Sequence, residues 1–204
     1  MTVDRLDLSR LSGHDPSEVT DEEREAAVLA PVVDRGDADH LLFIRRADDL
    51  SSHAGQMGFP GGGREPVDPD LRATALRECE EEIGMDPAEA TVHGRIDDIR
   101  TVSRYSVRPY VGRVADRRYV PDGVEVAEVA VLPVPELTDR SNYDSERRDH
   151  PHYGDIRLHY FRVDGHVVWG ATARMLVQLL ELTSDWRAPP EPDRYVDPDA
   201  EFPV

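Results

Sequence analysis

Three glutamates on one predicted helix are the residues of this chain best placed to do chemistry. Glu78, Glu81 and Glu82 are spaced i, i+3 and i+4, so at about 100° per residue they share one helical face. Carboxylates this close repel one another unless a cation lies among them. Hard oxygen donors in that number suit Mg²⁺ or Mn²⁺, which keep bound waters and accept phosphate oxygens. The pattern therefore indicates a metal site that could hold a phosphate compound.

The elements around these glutamates must position them. Apolar residues fall on the other side of the same helix, which predicts packing on a core: Leu71, Ala75, Leu76, Cys79 and Ile83. Gly61–Gly63 precede the helix and predict a loop where backbone can approach a ligand closely. Taken alone, an acidic run is usually a solvated face, and glycines usually mark a turn.

The joint spacing is more specific than either part. Gly62 is followed after five residues by Asp68, and after eight more by Arg-Glu-x-x-Glu-Glu-x-Gly, which begins at Arg77. This arrangement resembles the Nudix box, in which a glycine and an acid precede R-E-U-x-E-E-x-G-U with U apolar. Counted from Gly63, the usual glutamate position is Pro69. The chain has instead a loop longer by one residue, with Asp68 as its acid.

The resemblance implies a Nudix fold of the α/β (α+β) class, a mixed sheet sandwiched between helices, and metal-dependent hydrolysis of a diphosphate. It implies that Mg²⁺ or Mn²⁺ is held by Glu78, Glu81, Glu82 and a backbone carbonyl, that of Gly62. Arg77 would pair with the carboxylates and hold them in place.

The proton acceptor for the attacking water is left open between two pairs of glutamates. Glu81 or Glu82 is the first candidate, inside the box. Glu125 or Glu128, outside the box, is the second.

The segment before the box narrows the resemblance. Leu42–Arg46 followed by His53–Gly62 is similar to the coenzyme A diphosphatase branch of the family, and the likeness extends over about residues 24–182. That branch has Thr, Ser and Arg where this chain has Ile44, Ala47 and Ser51. Arg45, Arg46 or Arg64 would then replace the missing arginine. The residues expected to contact substrate are Arg46, His53, Gln56, Gly61 and Arg64.

Two other functions remain open at this point. One is a Nudix hydrolase of ADP-ribose or another nucleoside diphosphate derivative. The other is a ligand sensor without catalysis, against which the intact glutamates argue. Trp169 and Tyr110 could stack an adenine, although both lie in strand patterns typical of core residues.

Composition limits the class of protein. The 204-residue chain has a net charge of −18, a single cysteine and no lysine, so all 24 basic residues are arginine. Such acidity is similar to that of proteins from salt-loving microbes, where a Debye length of about 3 Å screens self-repulsion; an acidic protein from a GC-rich genome is the alternative. The charge argues against nucleic-acid binding, so local arginines and metal must hold an anionic substrate.

The remaining pattern predicts one domain with two extensions. Residues 1–23 read as an acidic extension, 24–184 as the Nudix domain, and 185–204 as a largely disordered Pro- and acid-rich tail. No apolar run or leader suggests a membrane, so we expect a cytoplasmic protein; its oligomeric state is open, with a homodimer one option. Strands are predicted at 26–33, 40–46, 92–96, 108–114, 124–132, 157–163 and 167–169, a helix at 171–182, and a loop at 138–155.

Overall fold

The computed structural model describes residues 2–50, 53–101, 104–150 and 154–202 and contains two sheets. The first is built from β1 (Arg24–Asp34), β2 (Asp39–Arg46), β3 (Met57–Gly58), β4 (Gly61–Gly63), β5 (Thr91–Arg95), β6 (Ile99–Arg100), β7 (Tyr105–Val114) and β8 (Val126–Pro133). The second is built from β9 (Tyr143–His150), β10 (Gly154–Val163), β11 (His166–Trp169) and β12 (Arg194–Tyr195). The helices are α1 (Leu71–Ile83), α2 (Val134–Thr138) and α3 (Gly170–Thr183), with 3₁₀ turns at Leu8–Gly13, Pro87–Glu89 and Arg140–Asn142.

β1 is the centre of the first sheet. It forms the predicted antiparallel hairpin with β2, pairs parallel with β7 along ten residue pairs, and pairs antiparallel with β4 at its start. Its run Ala26–Val33 is almost entirely buried because both sheet faces are covered. The mixed sheet between helices is the fold class expected from the sequence.

Two apolar layers cover the faces of this sheet. One contains the apolar side of α1, where Leu71, Ala75, Cys79 and Ile83 are buried against β1 and β2. Each Leu or Ile side chain buried in this way stabilises the fold by about 1.5–3 kcal/mol. Burial raises the pKa of the Cys79 thiol, which makes it a core residue rather than a nucleophile. The other layer contains α3 and the inner face of the second sheet.

Two predicted loops are strands in the structure. Gly61–Gly63 form β4, because their backbone completes a ladder with Ala26–Val28 of β1. The charged segment 138–155 contains β9, which pairs with β10 along its whole length. β9 was missed because its charges are matched by partners distant in sequence, such as Arg194, which forms an ion pair with Asp144 at 2.9 Å.

The tail is also more ordered than the sequence predicted. β12 adds in parallel to β9, and Trp186 is buried in the core. Arg157 donates hydrogen bonds to the carbonyls of Pro189 and Glu191. Proline has no backbone N–H to donate, but its carbonyl can still accept a hydrogen bond.

The first residues pack on the domain as well. Leu6, Leu8 and Leu11 are buried, and Leu11 covers Gly94 of β5 so closely that a Cβ there would lie 2.9 Å from its side chain. The N–H of Asp7 donates to the carbonyl of Thr183 at the end of α3, at 2.7 Å. Among the described residues no helix is long and apolar enough to cross a bilayer.

Candidate active site

The register of α1 is fixed at both of its ends. The Asp70 carboxylate accepts a hydrogen bond from the N–H of Ala73 at 2.8 Å and caps the first turn. Gly84 ends the helix with φ of 64°, a left-handed conformation that glycine adopts without strain, and its N–H reaches the carbonyl of Glu80 at 3.0 Å. The two caps therefore fix the direction in which Glu78 and Glu82 point, toward β4.

Glycines in β4 let the helix carboxylates reach the strand. The N–H of Gly61 donates to Oε2 of Glu82 at 2.9 Å. A Cβ added at Gly62 would lie 2.5 Å from the carboxyl group of Glu78, well inside contact distance. The absence of a side chain at Gly62 is thus what makes room for Glu78.

The hydrogen-bond ladder between β4 and β1 determines which glycines of β4 turn their backbone N–H and C=O groups toward α1. The N–H of Leu29 donates to the carbonyl of Pro60 and that of Arg64 to Glu25, each at 2.9 Å. Antiparallel pairs alternate, so Gly62, midway between them, exchanges its hydrogen bonds with β1. Gly61 and Gly63 instead turn their polar groups toward α1. The sequence predicted Gly62 as the source of a carbonyl ligand; the register favours Gly61.

Arg77 joins α1 to the loop before it. Its Nε and Nη2 donate to the two carboxylate oxygens of Asp68 at 2.9 and 3.0 Å, and Nη2 also donates to the carbonyl of Gly63 at 3.1 Å. The same guanidinium forms ion pairs with Glu78 at 3.0 Å and Glu81 at 2.8 Å. Arg77 therefore sets the positions of three carboxylates at once.

Asp68, the acid that is one residue out of the usual spacing, is a buried partner of Arg77. It also accepts hydrogen bonds from Thr74 Oγ1 and from the N–H of Glu65, each at 2.9 Å. The Arg77 guanidinium, followed by these donors, holds the pKa of Asp68 well below its usual range. Sequence reasoning missed Thr74; the signal was a polar residue on an otherwise apolar side of the helix, where Thr74 is fully buried.

The three glutamates have different environments although they share a helical face. Glu82 is 5 % exposed, whereas the Glu81 side chain is 59 % exposed and turned to Arg77. Burial, together with the charge of Glu78, raises the pKa of Glu82 to about 8, against the opposing hydrogen bond from Gly61. Burial also raises the pKa of Glu78, partly offset by Arg77.

The donors at this place fit a hard divalent cation. Glu78 and Glu82 are carboxylates whose ionised forms are disfavoured by burial and by each other, and a cation would relieve both effects. In the described part of the chain, however, no three His, Cys, Asp or Glu side chains are grouped closely enough to hold a metal ion. Glu81 would have to leave Arg77 to become a third carboxylate ligand.

Arg46 lies beside this pair at the end of β2. Its positive charge lowers the pKa of Glu82, and its Nε is buried without a hydrogen-bond partner among the described residues. The backbone of Arg46 is fixed by the following loop: its N–H donates to the carbonyl of Gln56 at 3.0 Å and its carbonyl accepts from Gly55 at 3.2 Å. His53 Nδ1 contacts Gln56 Oε1 at 3.0 Å within that loop. Ser51 lies outside the described residues.

The other predicted substrate arginine has protein partners. Arg64 forms a 2.8 Å ion pair with Glu25 and donates to the carbonyl of Pro69 at 3.4 Å. Arg45 is paired with Asp48 at 2.8 Å and Glu128 at 3.2 Å. Of the arginines that the sequence proposed for substrate binding, Arg46 is thus the one whose buried donor atom has no hydrogen-bond partner among the described residues.

The two glutamates outside the box, Glu125 and Glu128, also have different surroundings in the structure. Glu128 is hydrogen-bonded to His166 at 3.0 Å and accepts a hydrogen bond from Arg45, and these two partners lower its pKa. Glu125 is exposed, and its charge helps to raise the pKa values of both Glu78 and Glu82. The charge of Glu125 therefore acts on the carboxylate pair, while Glu128 is held in its own ion pairs.

The sequence of the chain is similar to those of known proteins. A family model described as NUDIX domain matches residues 23–153. The chain is 35% identical over 176 residues to an uncharacterized Nudix hydrolase, NudL, of Photorhabdus laumondii, covering 81% of this chain and 88% of that protein. It is 36% identical over 168 residues to a protein of the same description from Pectobacterium atrosepticum, covering 80% and 85% of the two chains.

A solved structure shows the same fold at low sequence identity. The crystal structure of a MutT/nudix family protein from Enterococcus faecalis matches with a TM-score of 0.56 and 11% identity, covering 83% of this chain and 65% of that one.

Proposed function

The chain belongs to the Nudix hydrolase family, and we propose that it hydrolyses the diphosphate bond of coenzyme A or its derivatives with Mg²⁺ or Mn²⁺. The products would be 3′,5′-ADP and 4′-phosphopantetheine, or an acyl-phosphopantetheine. The support for this substrate is the segment Leu42–Gly62, whose motif is similar to that of the coenzyme A diphosphatase branch.

The observation that carries the proposal is the free donor of Arg46 beside Glu82. A buried N–H without a hydrogen-bond partner lowers the stability of the fold by about 1–3 kcal/mol. The unpaired Nε–H of Arg46 therefore suggests that a ligand supplies its acceptor. A phosphate oxygen is the acceptor that a guanidinium binds best. The loop that distinguishes the coenzyme A branch is hydrogen-bonded to the backbone of this same residue.

We assign the metal to Glu78, Glu82 and the carbonyl of Gly61, with Glu81 joining after it leaves Arg77. When bound, the cation would neutralise phosphate charge and lower the pKa of a bound water. The residues of the chain itself position the groups: Arg77 holds the Glu78 carboxylate and the N–H of Gly61 holds that of Glu82, both against β4. Arg46 would orient the diphosphate, which the overall charge of −18 would otherwise repel.

The proton of the attacking water needs an acceptor that is not already a metal ligand. We assign this role to Glu125, which is exposed, whose charge acts on the carboxylate pair and whose backbone N–H is held by Asp122. Glu81 is the alternative inside the box, in the arrangement where it leaves Arg77 without joining the metal. If Glu81→Gln lowers kcat more than Glu125→Gln does while metal affinity is retained, the assignment passes to Glu81.

A substrate panel with product analysis tests the substrate. Free, acylated and oxidised coenzyme A would be compared with ADP-ribose and other nucleoside diphosphate derivatives, with Mg²⁺ and with Mn²⁺, at low and molar salt. We expect coenzyme A to give 3′,5′-ADP. Turnover of ADP-ribose without turnover of coenzyme A would show that coenzyme A is not the substrate and would favour ADP-ribose. Ligand binding without any turnover would indicate a sensor.

A further inference from the structure

The second sheet has an outer face, turned away from the α3 layer, that no part of the proposed reaction uses. Phe161 and Val168 point to the core, so their neighbours on β10 and β11 point outward. The register of the four strands lines up these outward residues: Asp144, Glu146, Arg148, Tyr160, Arg162, Trp169 and Arg194. Tyr160 is nevertheless fully buried, because the C-terminal segment lies over this face.

The outer face carries a network of ion pairs. Arg162 and Arg194 each bind Asp144 at 2.9 Å, and Arg194 also binds Glu146 at 2.9 Å. Arg148 is paired with Glu146 as well. The Arg148 side chain is 2 % exposed, and its Nε has no hydrogen-bond partner among the described residues. A buried guanidinium charge with an unsatisfied N–H is costly, which makes this a place where an oxygen acceptor would be stabilised.

Aromatic rings lie beside that charge. Trp169 stacks on Tyr160 with ring centroids 6.3 Å apart and planes 8° from parallel. Phe202 contacts Trp169 at 5.0 Å, and the Arg148 guanidinium lies 4.4 Å from the Phe202 ring centroid. The carbonyl of Ala200 accepts a hydrogen bond from Arg148 Nη1 at 2.7 Å. The C-terminal segment thus presents one ring and one oxygen acceptor to the outer face.

The end of this segment is weakly held. β12 and the bond from the N–H of Val196 to the carbonyl of Arg147, at 3.0 Å, fix the chain as far as residue 196. Residues 197–202 are mostly exposed, and Phe202 is 40 % exposed. A segment with few buried contacts opens at a small free-energy cost. Its acids, including Asp199 and Glu201, would leave the outer face together with it.

We propose that Arg148 and Trp169 form a site for a phosphorylated aromatic ligand of the nucleotide type, and that Ala200–Phe202 occupy it as a built-in competitor. A phosphate oxygen would accept from Nη1 of Arg148 in place of the Ala200 carbonyl, and the base would stack on the face of Trp169 now covered by Phe202. The site is separate from the glutamates of α1 and does not depend on the proposed reaction.

Binding of 3′,5′-ADP in the presence of EDTA tests the site without turnover. Calorimetry and tryptophan fluorescence would compare the full chain with Phe202→Ala and with a matched control, Tyr195→Ala, whose ring is 70 % exposed. We expect Phe202→Ala to bind about 10-fold tighter than the natural chain, because it removes the internal competitor. Tyr195→Ala should bind as the natural chain does, and adenosine should bind at least about 10-fold more weakly than 3′,5′-ADP.

Second substitutions in the Phe202→Ala background locate the binding. Arg148→Gln and Trp169→Leu should each abolish the gain in affinity. Trp169→Leu leaves the ion pairs intact, so it remains informative if loss of Arg148 unfolds the protein. Equal affinity of Phe202→Ala and the natural chain would show that the segment only completes the fold and would overturn the proposal. So would a gain that survives Trp169→Leu.

Discussion

Arg77 binds both carboxylate oxygens of Asp68, with Nε–Oδ1 and Nη2–Oδ2 distances of 2.9 and 3.0 Å. Asp68 is 7 % exposed and is bonded in turn by Thr74. The acid with the irregular spacing therefore acts through Arg77, which holds Glu78 next to β4.

Asp68→Ala should lower kcat about 10- to 100-fold, because Arg77 would lose the partner that orients it. It should also reduce the free energy of unfolding by about 3 kcal/mol, since a largely buried ion pair is broken. The control is Asp70→Ala, two residues along the same loop, which removes only the helix cap and should cost about 1 kcal/mol with little change in kcat. Equal activity of the two variants would remove Asp68 from the site.

Gly62→Ala should reduce activity at least about 100-fold, because the added Cβ would displace the Glu78 carboxyl group from a distance of 2.5 Å. Gly63→Ala is the control and should keep its activity. Its added Cβ would meet only the Tyr105 ring at 3.8 Å, which is an ordinary van der Waals contact. Steady-state kinetics and thermal unfolding of both variants give the answer. An active Gly62→Ala enzyme would mean that Glu78 does not need its observed position.

Glu82→Gln should lower kcat by about 1,000-fold or more and abolish Mn²⁺ binding measured by calorimetry, while the fold is kept. Glu80→Gln, an exposed position on the same helix, should behave like the natural chain. Removing the metal with EDTA should have the same effect on the natural enzyme as the Glu82 substitution. Residual metal-stimulated activity in Glu82→Gln would contradict the assignment.

Arg46→Lys should raise KM and reduce kcat/KM for a diphosphate substrate about 100-fold, because a planar bidentate donor is replaced by a point charge. Arg64→Lys should change kcat/KM by only a few-fold, since Arg64 is already paired with Glu25 at the surface. The comparison separates the two arginines that the sequence alone placed on an equal footing. A larger effect at Arg64 would relocate the phosphate site.

The half-buried His159 should make stability depend on pH. Burial, followed by the charges of Arg157 and Arg174, lowers its pKa to about 4, and its Nδ1 lies 2.7 Å from the hydroxyl of Tyr143. The unfolded chain, with a histidine pKa of about 6.5, therefore binds more protons between pH 6.5 and 4. Stability present above pH 6.5 should be lost as pH falls through this window, by about 3 kcal/mol at most.

His159→Gln should reduce this loss, measured as the difference in unfolding free energy between pH 7 and pH 5. His93→Gln, at an exposed position, should retain the full dependence. Identical pH profiles for His159→Gln and the natural chain would rule out His159 as the cause.

Local patterns predicted much of the first sheet and its helix. The hairpin of β1 and β2 and the apolar side of α1 follow from alternation and helical period, because burial there is decided by neighbours close in sequence. β9 could not be predicted in this way: its charges are satisfied across the sheet by residues such as Arg194, which follow it by some 50 positions.

The candidate site shows the same limit. The helical period placed Glu81 and Glu82 together, yet Glu82 is buried against Gly61 while Glu81 is exposed. That difference depends on the ladder between β4 and β1, which is a long-range pairing. Sequence motifs therefore predicted the residues of the candidate site, and their separate environments follow from the strand register.

The first residues of the chain have a consequence for how the protein is made. Asp7 is hydrogen-bonded to Thr183, and Val3 to Thr138, so residues 3–11 rest on elements synthesised much later. Until α3 has emerged from the ribosome, Leu6, Leu8 and Leu11 have no complete surface to cover. The nascent domain therefore keeps this apolar segment exposed through most of its synthesis, when chaperones would be expected to bind it.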